Sequence, residues 1–239
     1  MQTGNIIAHI PARGGSKRVP AKNLRLLAGR PMISYAISAG LNCPELDEVY
    51  VNTDSDILSG LAEKMKCPVY RRPQELGTDS ASGDDFTYDF IMKKKPDTLV
   101  LINPVCPLVK SEDISEAIKA YENSDCDTLI SCTETKMQTF CENEPVNIVP
   151  EGPLAPSQDN PVIKVCSWAI GIWNCDVFIE NYNKFKGGYF GTKRLFWPME
   201  VWRSVKISVE SDFILAEKLI LASAQQTSKP EYWSPGMPL

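Results

Sequence analysis

Ile6-Ile7-Ala8-His9-Ile10-Pro11-Ala12-Arg13-Gly14-Gly15-Ser16-Lys17-Arg18-Val19-Pro20-Ala21-Lys22-Asn23 is an apolar run that stops at a proline and turns into a basic loop. Residues 5–10 have the character of a buried strand. Beyond them Arg13, Lys17, Arg18 and Lys22 can converge on a polyanion, while Gly14 and Gly15 let backbone N–H groups approach it. A strand, a basic glycine loop and then a helix is how α/β proteins cradle phosphate. No Gly-Lys-Ser/Thr closes the loop, and its glycines do not follow Gly-x-Gly-x-x-Gly. The expected ligand is a nucleoside triphosphate held by a different loop chemistry.

Working outward, strand and helix signals alternate. Ile33, Ala36, Ile37 and Leu41 recur at helical spacing, and Glu48–Asn52 has the pattern of a second strand. A helix over 55–66, a short strand near Val69 and a helix from Asp84 to Lys94 follow. The apolar run Thr98–Ile102 predicts another strand, Ser111–Tyr121 a helix, and Asp127–Cys132 a further strand. This rhythm predicts an α/β fold, a three-layer Rossmann-like and mostly parallel sheet with helices on both faces, within a single domain spanning 1–239. Five prolines between 134 and 165 break the rhythm and predict an extended arm or lid. Trp168–Trp173 returns to strand character, Lys206–Val209 is expected as a last strand, and Ser211–Ser223 as a final helix. A proline-bearing tail occupies 228–239.

With 30 acidic against 25 basic residues and a net charge of -5, a nucleic-acid partner is not expected, since that needs a broad basic face. No apolar run reaches the roughly 18 residues of a membrane span, and the charged loop near the N-terminus does not fit a secretory signal. The eight cysteines form no Cys-x-x-Cys pair and there is one histidine, which disfavours zinc and predicts reduced, buried thiols in a cytoplasmic protein. His9 is expected as a satisfied core residue. Asp54 is either a ligand contact at the crevice edge or the cap of the following helix, Asp79 a partner of Arg72 or of a ribose, and Asp84 and Asp85 the acidic first turn of a helix. The aromatics Trp168, Trp173, Phe190, Phe196, Trp197 and Trp202 are expected in the core or an interface, one or two of them lining an acceptor pocket.

The block from Ile10 to Asn23 closely resembles the acylneuraminate cytidylyltransferase family, which comprises the CMP-sialic acid synthetases and their relatives acting on other 2-keto sugar acids. Gly29–Ile37, Val51-Asn-Thr-Asp54, Arg72–Ser82 and Leu101-Ile-Asn-Pro-Val-Cys-Pro-Leu108 follow the family's order, so the likeness covers roughly residues 5–130. The resemblance implies a homodimer that binds CTP and a small acidic acceptor, with Mg²⁺ as cofactor, held by the protein or mainly by the CTP phosphates. It also implies that Arg13 and Lys22 hold the triphosphate and act in catalysis. Gly14, Gly15, Ser16, Lys17 and Asn23 would complete the phosphate cradle. Ala12, Arg72 and Ala81 would shape the cytosine and ribose pocket, and Asn103 would face the acceptor.

Two departures stand against it. The Asp-x-Asp pair that the family places before its last helix falls on Lys206 and Ser208, which leaves Glu210 and Asp212 as candidate metal ligands. Where the family often carries Arg-x-Asn-Gly-Ala-Ile, this chain has Val165-Cys-Ser-Trp-Ala-Ile170. The expected function is CMP transfer from CTP to a nonulosonate-like acceptor. The alternatives are a nucleotidylyltransferase for another acidic or phosphorylated acceptor, and a non-catalytic nucleotide-binding relative.

Overall fold

The computed structural model describes residues 4–15 and 19–223; Ser16, Lys17 and Arg18 of the basic loop and the tail 228–239 lie outside the described residues. The chain forms β1 (Ile6–Pro11), β2 (Leu26–Leu27), β3 (Arg30–Pro31), α1 (Ile33–Leu41), β4 (Glu48–Thr53), α2 (Asp56–Lys64), β5 (Val69–Arg71), α3 (Gly83–Lys94) and β6 (Thr98–Ile102). There follow α4 (Ser111–Glu122), β7 (Thr128–Thr135), β8 (Phe140–Cys141), β9 (Glu144–Pro145), β10 (Ile163–Asn174), α5 (Cys175–Phe185), β11 (Arg194–Pro198) and α6 (Glu210–Ser223).

Seven strands make one sheet in the order β11-β7-β10-β6-β1-β4-β5. All its neighbours are parallel except at β10, which runs antiparallel to both β6 and β7. β1 shows why the sheet is covered twice. Ile6, Ala8 and Ile10 pack with Ile33 and Ile37 of α1, Leu58 of α2 and Ile114 of α4, whereas Ile7 packs with Phe90 of α3 and Phe178 of α5. Successive side chains of a strand point to opposite faces, so burial on both makes the strand continuously apolar. Each fully buried isoleucine contributes about 2 kcal/mol.

Local sequence sets the helix starts. Ser55 Oγ accepts from Leu58 N–H, making Ser55 the cap of α2. Ser82 and Asp85 form a reciprocal capping box at α3, and both aspartates lie in its acidic first turn as expected, while the Asp84 carboxylate accepts from the N–H groups of Gly188 and Tyr189 in the loop after α5.

The structure corrects the chain's last third. Residues 206–209 are not a strand. Ile207 is buried with Val19, Leu27, Met32, Leu108 and Phe213 in a separate cluster under α6, and its N–H donates to Val105 O. The alternation of Lys206–Val209 reflects one buried anchor. The closing strand is instead β11, parallel to β7, whose half-buried edge gives little alternation. The excursion is also shorter than 134–165, because Thr135 and Glu134 still pair with Ile163 and Lys164. All eight cysteines are free, five of them buried. Among the described residues no helix is long and apolar enough to cross a membrane.

His9 is in the core as expected but is not satisfied. It is fully buried beside Phe90, with ring centroids 5.1 Å apart, and neither ring nitrogen has a hydrogen-bond partner. Burial, and secondarily the Arg72 charge, lowers its pKa from 6.5 to about 3. The unfolded chain therefore takes up the proton first. His9 favours folding fully above pH 6.5, and that contribution is lost progressively as pH falls toward 3. Stability is expected to fall by about 2 kcal/mol between pH 7 and pH 5. Urea denaturation of His9→Leu across that range should show this slope removed; an unchanged slope would assign it to other groups.

Candidate active site

β1, β4 and β6 are parallel neighbours, so their C-terminal ends share one edge of the sheet. That edge is where open α/β sheets take ligands. Ala12 and Arg13 leave β1 there, Asp54 follows β4, and Asn103 follows β6.

Asn52, at the end of β4, organises the edge. Its carbonyl accepts from Ala12 N–H at 3.0 Å and from the Arg72 guanidinium at 2.9 Å, and its side-chain oxygen accepts from Arg72 Nε at 2.9 Å. Arg72 is only 6% exposed and lies 4.2 Å over the Phe86 ring. Burial draws its pKa down to about 10, partly offset by Asp54, so it stays charged at neutral pH. Ala12 and Arg72, both expected at the nucleoside, are thus joined through the backbone carbonyl of one residue that the sequence did not single out. Its signal was there: a polar residue closing an apolar strand. Ala81, the third of that group, sits just ahead of the Ser82 cap.

Arg13 pairs with Asp79 at 2.6 Å, so Asp79 partners Arg13 and not Arg72. Their side chains are 38% and 50% exposed. Such a pair is worth at most about 1 kcal/mol, so an arriving polyanion can draw Arg13 away at little cost. Gly14 N–H donates to Asp54 Oδ1 at 3.1 Å, which assigns Asp54 to the loop while Ser55 caps α2. A Cβ on Gly14 would lie 3.1 Å from Ser55 Cβ, whereas one on Gly15 would meet nothing within 4 Å. Asn23 donates to Arg13 O at 3.3 Å and its carbonyl accepts from Ile33 N–H, tying both ends of the loop to α1. Lys22 Nζ donates to Ile207 O at 2.8 Å. The side-chain Nδ2 of Asn52 and Oδ1 of Asn23 are buried with no partner among the described residues.

Asn103 donates from Nδ2 to Trp168 O at 3.0 Å, and its Oδ1 accepts from Val105 N–H. Trp168 has a φ of 55°, the left-handed region, which is a marked outlier for an aromatic residue. It sits where the resemblance leads one to expect glycine, in the irregularity between Cys166 and Gly171, and its indole packs against Tyr189 and Phe190. Tyr189 is half-buried and shares a hydrogen bond with Thr87 of α3. Nothing in its glycine-flanked stretch marked it beforehand.

The carboxylates expected to hold a metal are otherwise engaged. Glu210 forms a two-pronged pair with Arg25 at 2.6 and 2.7 Å, which holds its carboxyl below the usual range. Asp212 accepts from Ser208 and Val209 N–H groups at the start of α6. Among the described residues no three His, Cys, Asp or Glu side chains come together to hold an ion. This donor set does not fit a protein-held Mg²⁺.

A family model described as cytidylyltransferase matches residues 7–150. The chain belongs to the cytidylyltransferase family. It is 36% identical over 133 residues to an N-acylneuraminate cytidylyltransferase of Streptococcus agalactiae serotype III, a match covering 54% of this chain and 32% of that one. It therefore spans about a third of the length of that relative. It is 28% identical over 231 residues to the CMP-N,N'-diacetyllegionaminic acid synthase of Legionella pneumophila, covering 90% of this chain and 96% of that one. A solved CMP:2-keto-3-deoxy-manno-octonic acid synthetase complexed with CTP superposes with a TM-score of 0.69 at 15% identity, over 92% of this chain and 99% of that one. At that identity the likeness speaks for the fold. In this cytidylyltransferase the stretch 7–150 holds Ala12 through Asn103, while Trp168, Lys206 and Glu210 lie beyond it.

Proposed function

We propose that this cytidylyltransferase transfers CMP from CTP to an acidic acceptor such as a nonulosonate, a sialic-acid-like 2-keto sugar acid, and releases pyrophosphate. The observation that carries the reading is the hydrogen-bonded set of Arg72, Asn52, Ala12 and, through the loop, Arg13 and Asn23 at the sheet edge. These are the residues a nucleoside triphosphate would need together. Arg13 and Lys22 hold the triphosphate and stabilise charge developing at the α-phosphate. The acceptor's anomeric hydroxyl attacks the α-phosphorus, the new O–P bond forms as the bond to pyrophosphate breaks, and the hydroxyl proton leaves to solvent. Positioning and charge neutralisation carry such a transfer, with no covalent intermediate on the protein. Mg²⁺ is here a companion of the nucleotide and not a resident of the protein. The setting is the cytoplasm, consistent with eight free thiols.

The acceptor lies beside Asn103 and the aromatic wall of Trp168, Tyr189 and Phe190. Val165 stands where the resemblance leads one to expect an arginine for the acceptor's carboxylate, so other groups would have to hold that acid here. Calorimetric titration of CTP against ATP, GTP and UTP tests the donor half. Selective CTP binding is expected; equal or absent binding of all four nucleotides would favour a non-catalytic relative.

The proposal includes a homodimer formed through the arm. Val149 and Leu154 there are 80% and 82% exposed, and Met137 and Phe140 are exposed beside them. That is more apolar surface than a solitary loop keeps in water. Light scattering at micromolar concentration should return twice the mass of 26.6 kDa, and a monomer mass would end the idea.

A further inference from the structure

We propose that Cys132 and Cys166 form a redox-responsive pair, two thiols set opposite each other on β7 and β10 so that oxidation joins them in a disulfide at the root of the arm. They are direct partners in the antiparallel ladder. Directly opposite residues place their side chains on one face of a sheet. The neighbouring partners show this register in their side chains. Lys164 meets Glu134 at 2.9 Å two residues along, and Ser167 Oγ lies 2.9 Å from Ser131 Oγ one residue the other way. The backbone sets the spacing. Cys132 O accepts from Met199 N–H, so Cys132 turns its backbone groups toward β11 and away from β10. Cys132 and Cys166 are therefore a non-hydrogen-bonded pair, whose Cα atoms lie roughly 4.5 Å apart in such a ladder. A disulfide spans about 4.4–6.8 Å between Cα atoms, so the bond can close without parting the strands. Among the described residues no other two cysteines are ladder partners.

The two thiols have different access. Cys132 is buried, and burial pushes its thiol up, whereas Cys166 is half-buried and is the first to meet a reagent from solution. The Cys166 thiolate attacks one sulfur of a small disulfide such as oxidised glutathione, forming a mixed disulfide and releasing one glutathione thiolate. Cys132, its proton passed to water, then attacks the Cys166 sulfur and releases the second. Two protein thiols are oxidised while one glutathione disulfide is reduced to two thiols. Excess thiol reverses both steps. The position gives the bond its consequence. The register shift opens directly after Cys166, and Trp168 follows two residues on, its carbonyl accepting from Asn103. The bond therefore fixes the entry to the bulge on the acceptor side, a consequence that rests on the function proposed above, whereas the bond itself does not. Asn52 of β4, with Arg72, lies beyond β6 and β1 from β10.

The test treats the folded wild-type protein with oxidised glutathione, blocks the remaining thiols with N-ethylmaleimide and maps the cysteines by peptide mass spectrometry. The peptides bearing Cys132 and Cys166 are expected joined, without glutathione, in a chain that runs as a monomer on a non-reducing gel. Cys141, exposed and opposite Glu144 rather than a cysteine, is expected to carry glutathione instead. Cys166→Ser, at the half-buried site, should leave Cys132 unmodified, and Cys132→Ser should leave Cys166 with a glutathione adduct. As reduced glutathione is added back, the internal bond should outlast the Cys141 adduct by at least about tenfold in thiol concentration, the advantage of a tethered partner. Cys166 found free or only glutathionylated once Cys141 is fully modified, or joined to any other cysteine, would overturn the proposal. CTP should bind the oxidised protein within about threefold of the reduced one; a larger loss would overturn the confinement of the effect to the acceptor side. The mapping needs no nucleotide, so a protein that forms the bond but binds no CTP would lose the proposed function and keep the redox pair.

Discussion

Lys22→Ala is expected to slow pyrophosphate release by about 10²–10³-fold at saturating CTP, the usual loss when one preorganised donor to a developing anion is removed. The lysine follows the glycine loop and is held in place by Ile207 O at 2.8 Å, so its direction is set before any ligand arrives. That preorganisation predicts that the turnover number suffers more than the KM for CTP, because charge at the α-phosphate grows during the transfer. The same hydrogen bond fixes the segment ahead of α6. A loss of about 1–2 kcal/mol in stability, read as a drop of a few degrees in Tm, should therefore accompany the kinetic loss. Lys22→Met keeps the aliphatic stem and separates the two effects: turnover should stay low while part of the stability returns. Wild-type turnover in either variant would remove Lys22 from the chemistry.

Asn52→Ala is the second large effect. The side-chain oxygen of Asn52 accepts from Nε of Arg72, a guanidinium only 6% exposed. Deleting it leaves a buried charge short of an acceptor, while the backbone bond from Arg72 to Asn52 O and the stacking on Phe86 remain. A cost of about 3 kcal/mol is expected, because an unpaired charged donor loses far more than a neutral hydrogen bond contributes. On the proposed placement of Arg72 at the nucleoside, CTP affinity should fall at least about tenfold. Asn52→Asp, which keeps an acceptor and removes the unpartnered Nδ2, should retain most of both. Urea denaturation and calorimetry read the two quantities; a change below about 0.5 kcal/mol for Asn52→Ala would mean that the backbone bond alone holds Arg72.

The layers of the fold were legible because they rest on local pattern. β1, β4, β6 and their helices carry apolar residues at strand or helix periods and polar caps such as Ser55 and Ser82 at the helix starts. The basic loop was legible as chemistry for the same reason, since its cations lie within ten residues of one another. What escaped is what depends on distant pairing. β11 is recognisable only beside β7, and Ile207 is buried by α6 rather than by the sheet. Arg13 meets Asp79 across 66 residues, a pairing with no local signature. Trp168 passed as one more core aromatic because nothing in a sequence prints a positive φ.

β10 is the one strand of its sheet that runs against both neighbours, and it returns from the arm carrying Trp168. Between Cys166 and Gly171 it takes five steps while β7 takes two, so surplus chain is absorbed at that point. Past it, Ile170–Asn174 are pinned to β6 and cannot slide without turning every side chain over. Lengthening or shortening of the chain between Thr135 and Ile163 is thereby stopped before it reaches the edge where Asn52 and Arg72 sit. On the proposed reading, one side of the molecule can be refitted for a new acceptor while the other keeps its grip on an old donor. The bulge is thus a seam along which the two halves can evolve at different tempos.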